Sequence, residues 1–199
     1  MAVRTITADE FTVIVDSRER LPYKYPGMVN AALPTGDYSV AGFEGRIALE
    51  RKSFDDLVGC VTRDRDRFEK QVQRLGAMEY GALIIEEDSA GIMQGHELSQ
   101  VDPAAVLGTL LSWSVKWGVP VWLCSGRDHA RAITYRLLQH FVRAAAREIP
   151  EEEDGRGEVR CWRCHRVLHD PVSRMRGIGP ICYEVAISEG QLEMAEVVA

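Results

Sequence analysis

No stretch of this 199-residue chain is apolar for the ~18 residues that a membrane-spanning helix needs, so no membrane partner is expected. The first residues, Met1-Ala2-Val3-Arg4-Thr5-Ile6-Thr7, lack the apolar run of a secretory signal. Cysteine is scarce: the five present are an odd number, which argues against a disulfide framework and for a reducing compartment. These absences together lead us to expect an intracellular, cytoplasmic protein. Excess positive charge is also missing. The 24 Lys and Arg stand against 30 Asp and Glu, a net charge of −6, which counts against a large non-specific nucleic-acid surface. It leaves room for a local one. What the chain does have is 46% apolar residues, enough for one α/β domain and a small appendage.

The most informative stretch is Glu50-Arg51-Lys52-Ser53-Phe54-Asp55-Asp56, preceded by the pair Gly36-Asp37. Arg46-Ile47-Ala48-Leu49 reads as a strand leading into it. Side chains alternate along a strand, so Glu50 and Lys52 point to one side. Asp37, beside the strand-like Tyr38-Ser39-Val40, is the nearest candidate for a second carboxylate there. Two carboxylates and a lysine can hold a hard divalent cation, Mg²⁺ or Mn²⁺, which prefers oxygen ligands. Such an ion polarises a phosphate and helps make a hydroxide nucleophile. Lys52 would orient that water or neutralise charge building on the phosphate. An E-x-K alone is what any exposed strand carries as a salt bridge. The wider pattern is what gives it weight.

That pattern, G-D followed by E-R-K-x-x-x-D, resembles the XPF-type structure-specific endonuclease family. Val13-Ile14-Val15-Asp16-Ser17-Arg18-Glu19 is similar to the family's upstream V-D-x-R-E element, and Leu33-Pro34-Thr35-Gly36-Asp37-Tyr38 to the loop before its metal-binding Asp. The resemblance spans roughly residues 11 to 145. It implies an α/β, restriction-endonuclease-like core, a central mixed sheet flanked by helices. It implies metal-dependent hydrolysis of branched or flapped DNA, in repair or recombination. It also implies a homodimer formed through the nuclease domain. Carried over, Asp37 and Glu50 are the metal ligands with Asp16 assisting, and Lys52 handles the nucleophile or its charge. Asp56, Arg51 and Glu19 support them. A non-catalytic DNA-binding or scaffold subunit is the alternative, but a degenerate chain should have lost these acids.

In chain order, Phe11–Val15 reads as a buried strand ending at Asp16. Arg18 follows in the exit loop, as a phosphate contact or an ion-pair partner. Residues 20 to 35 hold Pro22, Pro26 and Pro34 and read as loop with at most a short helix. Short strands are expected near 37–41 and 46–51. Ser53 is a plausible N-cap for a helix beginning near Phe54, which puts Asp56 in its first turn. Thr62 through Met78 has helical periodicity, with Phe68, Val72 and Leu75 inward. Its polar face carries Arg63 and Arg67, either solvated with i,i+4 pairs or tracking phosphates. Ala82–Ile85 reads as a buried parallel strand. Asp102-Pro103 opens a long helix that Gly118 ends. Val119–Leu123 is the last strand, with Pro120 marking an edge, and a helix follows from about 128 to 148. The tryptophans read as core or dimer interface.

We expect a nuclease domain over residues 1–148, an acidic solvated linker over 149–158 and a small module over 159–199. In the last, Cys161-Trp162-Arg163-Cys164 presents two thiolates on one knuckle, Cys182 offers a third, and His169 or His165 a fourth, His169 being preferred. That set suits structural, tetrahedral Zn²⁺. The string resembles a zinc-ribbon-like module appended to phage and bacterial proteins, which suggests a prokaryotic or phage-like setting. A competing reading takes Gly177-Ile178-Gly179 as the turn of a helix-hairpin-helix, with Asp170-Pro171 speaking against its first helix. Arg174 and Arg176, with Arg160, Arg163 and Arg166, make the tail locally basic and a second DNA contact.

Overall fold

The computed structural model describes residues 11–97, 99–147 and 159–189. Strands β1 (Val13–Asp16), β2 (Val29–Ala31), β3 (Tyr38–Val40), β4 (Ile47–Lys52), β5 (Tyr80–Ile85) and β6 (Val121–Leu123) form one sheet. Their order is β2-β1-β3-β4-β5-β6. β3 runs antiparallel to both β1 and β4, and the other neighbours are parallel, so the sheet is mixed. The helices are α1 (Phe54–Val61), α2 (Arg65–Gly76), α3 (Ser89–Gln94), α4 (Pro103–Trp117), α5 (Arg127–Arg147), α6 (Pro171–Arg176) and α7 (Pro180–Ser188). This is the expected central mixed sheet with flanking helices.

Strand alternation sorts the core into layers. Val13, Val15, Tyr38, Val40, Ile47, Leu49 and Ile84 pack with Ala130, Leu138 and Val142 of α5. Ala48, Leu83 and Ile85 point the other way, to Leu57 of α1, Val72 and Leu75 of α2, and Leu110 and Trp113 of α4. Trp113 is 1% exposed, so it is core and not an interface residue. Local chemistry sets the helix ends. The Ser53 side chain accepts the Asp56 N–H, Asp102 accepts the Ala104 N–H with Pro103 at the first helical position, and Gly118 takes the left-handed cap at φ 66°.

Two expectations are corrected. Residues 20–35 are not all loop, because β2 pairs in parallel with β1 at the sheet edge. At three half-exposed residues it offers no alternation to read. Asp170-Pro171 does not break the tail's first helix but opens it. Pro171 sits in the first turn, where it needs no N–H partner, and Asp170 Oδ1 accepts the Ser173 N–H at 2.7 Å. The acidic linker lies outside the described residues.

The tail packs on the core. Cys161, Leu168, Ile178, Tyr183 and Ala186 share an apolar cluster with Ile14, Leu33 and Ala41. The Tyr183 hydroxyl donates to Glu44 Oε1 at 2.8 Å in a buried bond. Arg176 stacks on the Tyr183 ring at 4.5 Å. It lies under Gly42, where a Cβ would come within 2.3 Å of the Arg176 Cδ and where φ is +83°. Glycine is required there on both counts.

Candidate active site and metal centre

The cleft is built at the ends of β1, β3 and β4. Gly36 has φ +75°, and a Cβ on it would meet the Ala48 Cβ and the Leu49 carbonyl, each at 3.1 Å, so any other residue would be strained and crowded in this turn. Asp37 is then fixed between two strands. Its N–H donates to Leu49 O and its carbonyl accepts the Asp16 N–H, both at 2.8 Å. Its Oδ2 accepts the Arg51 N–H at 2.8 Å. Glu50 is 1% exposed. Lys52 Nζ donates to its Oε1, and Gln71 Nε2, from α2, donates to its Oε2.

The electrostatics follow from crowding two carboxylates with one ammonium away from water. Burial first, then the Glu50 charge, push the Asp37 carboxyl up to about 8. Burial likewise raises Glu50, against the pull of Lys52. Burial disfavours the Lys52 ammonium, but Glu50 and Asp37 outweigh it and hold this lysine above its ordinary range. A second positive charge between Asp37 and Glu50 would relieve their repulsion. Their oxygens fit a hard divalent cation.

Asp16 is differently placed. Its Oδ1 accepts the Arg18 N–H and Nε, and its Oδ2 accepts Arg18 Nη2 and the Leu33 N–H, all at 2.8 Å. Burial works against this carboxylate, but the Arg18 and Leu33 bonds win and lower its pKa. Arg18, 72% exposed, reaches the cleft while holding Asp16.

Arg51 and Glu19 also line the cleft, but the Arg51 side chain leaves β4 on the opposite face from Glu50 and Lys52. Its Nε and Nη2 each donate to Glu86 at 2.8 Å, and Glu19 lies 3.6 Å away. Glu86 also accepts the Tyr23 hydroxyl at 2.8 Å and Arg127 Nη1 at 3.0 Å. Arg127 Nη2 donates to Leu21 O at 2.6 Å. The middle residue of the E-R-K run thus ties β4 to β5 and to the loop after β1. Strand parity signals its opposite direction; nothing local names Glu86 as its partner.

Asp56 lines the cleft while accepting the Ser53 hydroxyl at 2.8 Å, so it also closes the first turn of α1. Arg63 and Arg67, both over 80% exposed, lie 3.5 and 3.6 Å from Asp64, away from the cleft lining. From α2 it is Gln71 and Arg74 that line the cleft, whose volume is about 520 Å³. Nothing in the local spacing of α2 names Gln71 as the partner of Glu50. In the tail, Arg174 is exposed. Arg176 is 9% exposed and turned to Tyr183, so it is not presented to DNA as expected. Burial lowers its pKa.

The sulfurs of Cys161, Cys164 and Cys182 lie within 4.8 Å of one another. The chain doubles back as a knuckle. His165 N–H donates to Cys161 O at 2.8 Å, Cys161 N–H to Arg166 O at 2.9 Å, and His165 takes φ +57°. Burial disfavours the Cys161 thiolate, but N–H groups of Cys164, Gly179 and Arg163 more than offset it and bring the thiol down to about 6. Cys182 is pushed up to about 11, first by the Cys164 sulfur. Three such thiols suit a soft, tetrahedral ion. Among the described residues, neither His169, the expected fourth ligand, nor His165 joins the cluster. The helical hairpin around Gly177-Ile178-Gly179 is present in the same module, so the knuckle and the hairpin coexist.

This sheet, with its acids at the strand ends, has the fold of an XPF nuclease. Residues 15–137, more than half of the chain, match the ERCC4 domain, and the chain belongs to that family. Residues 151–186 match a family of unknown function (DUF6011). Among solved structures the chain is similar to XPF from Aeropyrum pernix, at 19% identity, with 69% of each chain covered and a TM-score of 0.53. It is also similar to XPF from Aeropyrum pernix in complex with DNA, at 18% identity, covering 95% of this chain and 86% of that one, with a TM-score of 0.51. At these identities the likeness is one of fold. No curated protein matches the chain. None of the described helices is long and apolar enough to cross a membrane.

Proposed function

We propose that this protein is a divalent-metal-dependent DNA endonuclease that hydrolyses phosphodiester bonds in branched or flapped DNA, in repair or recombination. One observation carries the reading: buried Glu50 and half-buried Asp37 line one cleft, with Lys52 bonded to Glu50 and with Arg18, Arg20 and Arg74 around them. Asp37 and Glu50 would hold Mg²⁺ or Mn²⁺, which when bound supplies Lewis-acid polarisation of the phosphate and a more acidic water. Lys52 sets its ammonium beside that phosphate, where negative charge builds in the transition state. Gln71 fixes the rotamer of Glu50. Arg18, Arg20 and Arg74 meet backbone phosphates, which position the substrate without reading its sequence. Arg51 acts from behind the sheet by holding the loop that carries Arg18 and Arg20.

DNA as substrate is supported by the relative whose structure is a complex with DNA, and branching by the resemblance of the E-R-K pattern. The three clustered cysteines would hold a structural Zn²⁺, in keeping with a reducing cytoplasm. Leu111 and Val115 on α4, 60% and 88% exposed, support a homodimer. The alternative, a non-catalytic DNA-binding subunit, is disfavoured because the acids and Lys52 are all kept. A cleavage assay comparing flap, fork, gapped and plain duplex DNA with Mg²⁺ tests the proposal. Cutting of the branched forms ahead of plain duplex is expected. Binding to all four without any cutting would favour the non-catalytic reading.

A further inference from the structure

The cleft and the cysteine module meet in one residue, Leu33. Its side chain, 4% exposed, packs in the apolar cluster with Cys161, Leu168, Ile178 and Tyr183. Its backbone belongs to the cleft. The Leu33 N–H donates to Asp16 Oδ2 at 2.8 Å, and the Leu33 carbonyl accepts Arg18 Nη2 at 2.7 Å. Ile14, two residues before Asp16 on β1, packs in the same cluster. Cys161 is fully buried in the same cluster, so one candidate zinc ligand belongs to the apolar body in which Leu33 sits. The module is itself held by the Tyr183–Glu44 bond at 2.8 Å and by Arg176 stacked on Tyr183 beneath Gly42.

We propose that the cysteine module is a working part of the active site: by seating Leu33 it holds the Asp16–Arg18 pair in place, which makes Leu33 and Tyr183 positioning residues. A module that served only as a tethered DNA contact would not need a buried face against β1 or a buried hydroxyl–carboxylate bond to the core. Without it, Ile14, Leu33 and Ala41 would turn apolar surface to water. The segment between Ala31 and Gly36 would then lose its anchor, and Asp37 lies only four residues beyond Leu33. Metal held by Cys161, Cys164 and Cys182 would fix the knuckle that carries Cys161, and through it the seat of Leu33. The role given to Asp16 rests on the endonuclease reading; the seating of Leu33 does not.

The test uses the full chain. Ala186→Asp places a carboxylate in the apolar cluster and undocks the module while leaving every cysteine in place. Tyr183→Phe removes only the bond to Glu44 and is the milder second variant. Amide hydrogen exchange is followed at Leu33, and flap-DNA cleavage with Mg²⁺ is followed in parallel. Exchange at Leu33 should rise by about tenfold or more in Ala186→Asp and less in Tyr183→Phe. kcat should fall in the same order, with the KM for DNA changing less. Stripping metal with a chelator should raise Leu33 exchange in the unsubstituted protein. The proposal is overturned if Leu33 stays protected once the module is undocked, or if kcat holds while Leu33 is exposed. If the unsubstituted protein cuts no DNA, the endonuclease reading fails, and the exchange measurement still decides whether the module seats Leu33.

Discussion

At Asp37 and Glu50 the chain concentrates negative charge where water screens it poorly. Asp37→Asn keeps an oxygen for the Arg51 N–H, and Glu50→Gln keeps one for Lys52. Shape survives and charge does not. Each substitution should lower cleavage by about 10³-fold or more, since metal catalysis contributes several kcal/mol. Circular dichroism and melting temperature should stay native-like, because each substitution removes the charge whose burial pushes these carboxyl pKa values up. Full Mg²⁺-dependent activity in either variant would remove these residues from the site. A pH dependence follows from the same crowding. With no cation bound, the Asp37 carboxyl titrates at about 8, so below that pH it is mostly protonated and must release a proton to become a ligand. Mg²⁺ affinity measured by calorimetry should therefore weaken as pH falls below about 8, by up to about tenfold per unit for one proton. A flat profile between pH 6 and 9 would contradict the shift. The residue types of the cleft were legible because their spacing along one strand fixes their side. Gln71, Glu86 and Leu33 were not, since each reaches its partner through tertiary packing rather than local spacing.

At the scale of elements, β4 does two jobs on two faces. Glu50 and Lys52 open into the cleft, and Arg51 enters the layer beneath α5. There it meets Glu86 at the end of β5, with Tyr23 from the first loop and Arg127 from the start of α5. Arg51 is 7% and Glu86 9% exposed, so this ion pair is buried. Glu86→Ala leaves a buried guanidinium with only the longer ion pair to Glu19 and the face of the Tyr23 ring. We expect a loss of about 3–5 kcal/mol in a urea melt. A larger loosening of residues 17–25 should appear as faster proteolysis of that loop. Destabilisation below about 1 kcal/mol would mean that the node is redundant. Most elements were readable in advance from periodicity and caps: Ser53 before α1, Asp102-Pro103 before α4 and Gly118 after it. β2 escaped because a three-residue edge strand carries no pattern, and α6 because a proline in a first turn looks the same as one that ends a helix.

At the scale of the whole molecule, the tail is where sequence and structure part most clearly. Its cysteines and arginines are legible, and the acidic stretch before it reads as a spacer between independent units. The docking is not legible, because Tyr183, Ala186 and Ile178 show no periodicity that names Ile14 or Leu33 as partners. The consequence is a change in what losing the metal should do. Purified protein should contain about one zinc per chain, and Cys161→Ser should release it. Were the tail a separate unit, the nuclease domain would melt at an unchanged temperature after that loss. With Cys161 buried in one apolar cluster with Ile14 and Leu33, the loss instead removes part of the core's own covering. Calorimetry should show one cooperative transition for the zinc-loaded protein, shifted down by several degrees for Cys161→Ser, since about 1 kcal/mol moves the melting temperature of a chain this size by ~2–4 °C. Two separate transitions, the upper one unmoved by the substitution, would show that the module folds apart from the nuclease domain. Absence of zinc from carefully prepared protein would leave the three thiols without their proposed ion.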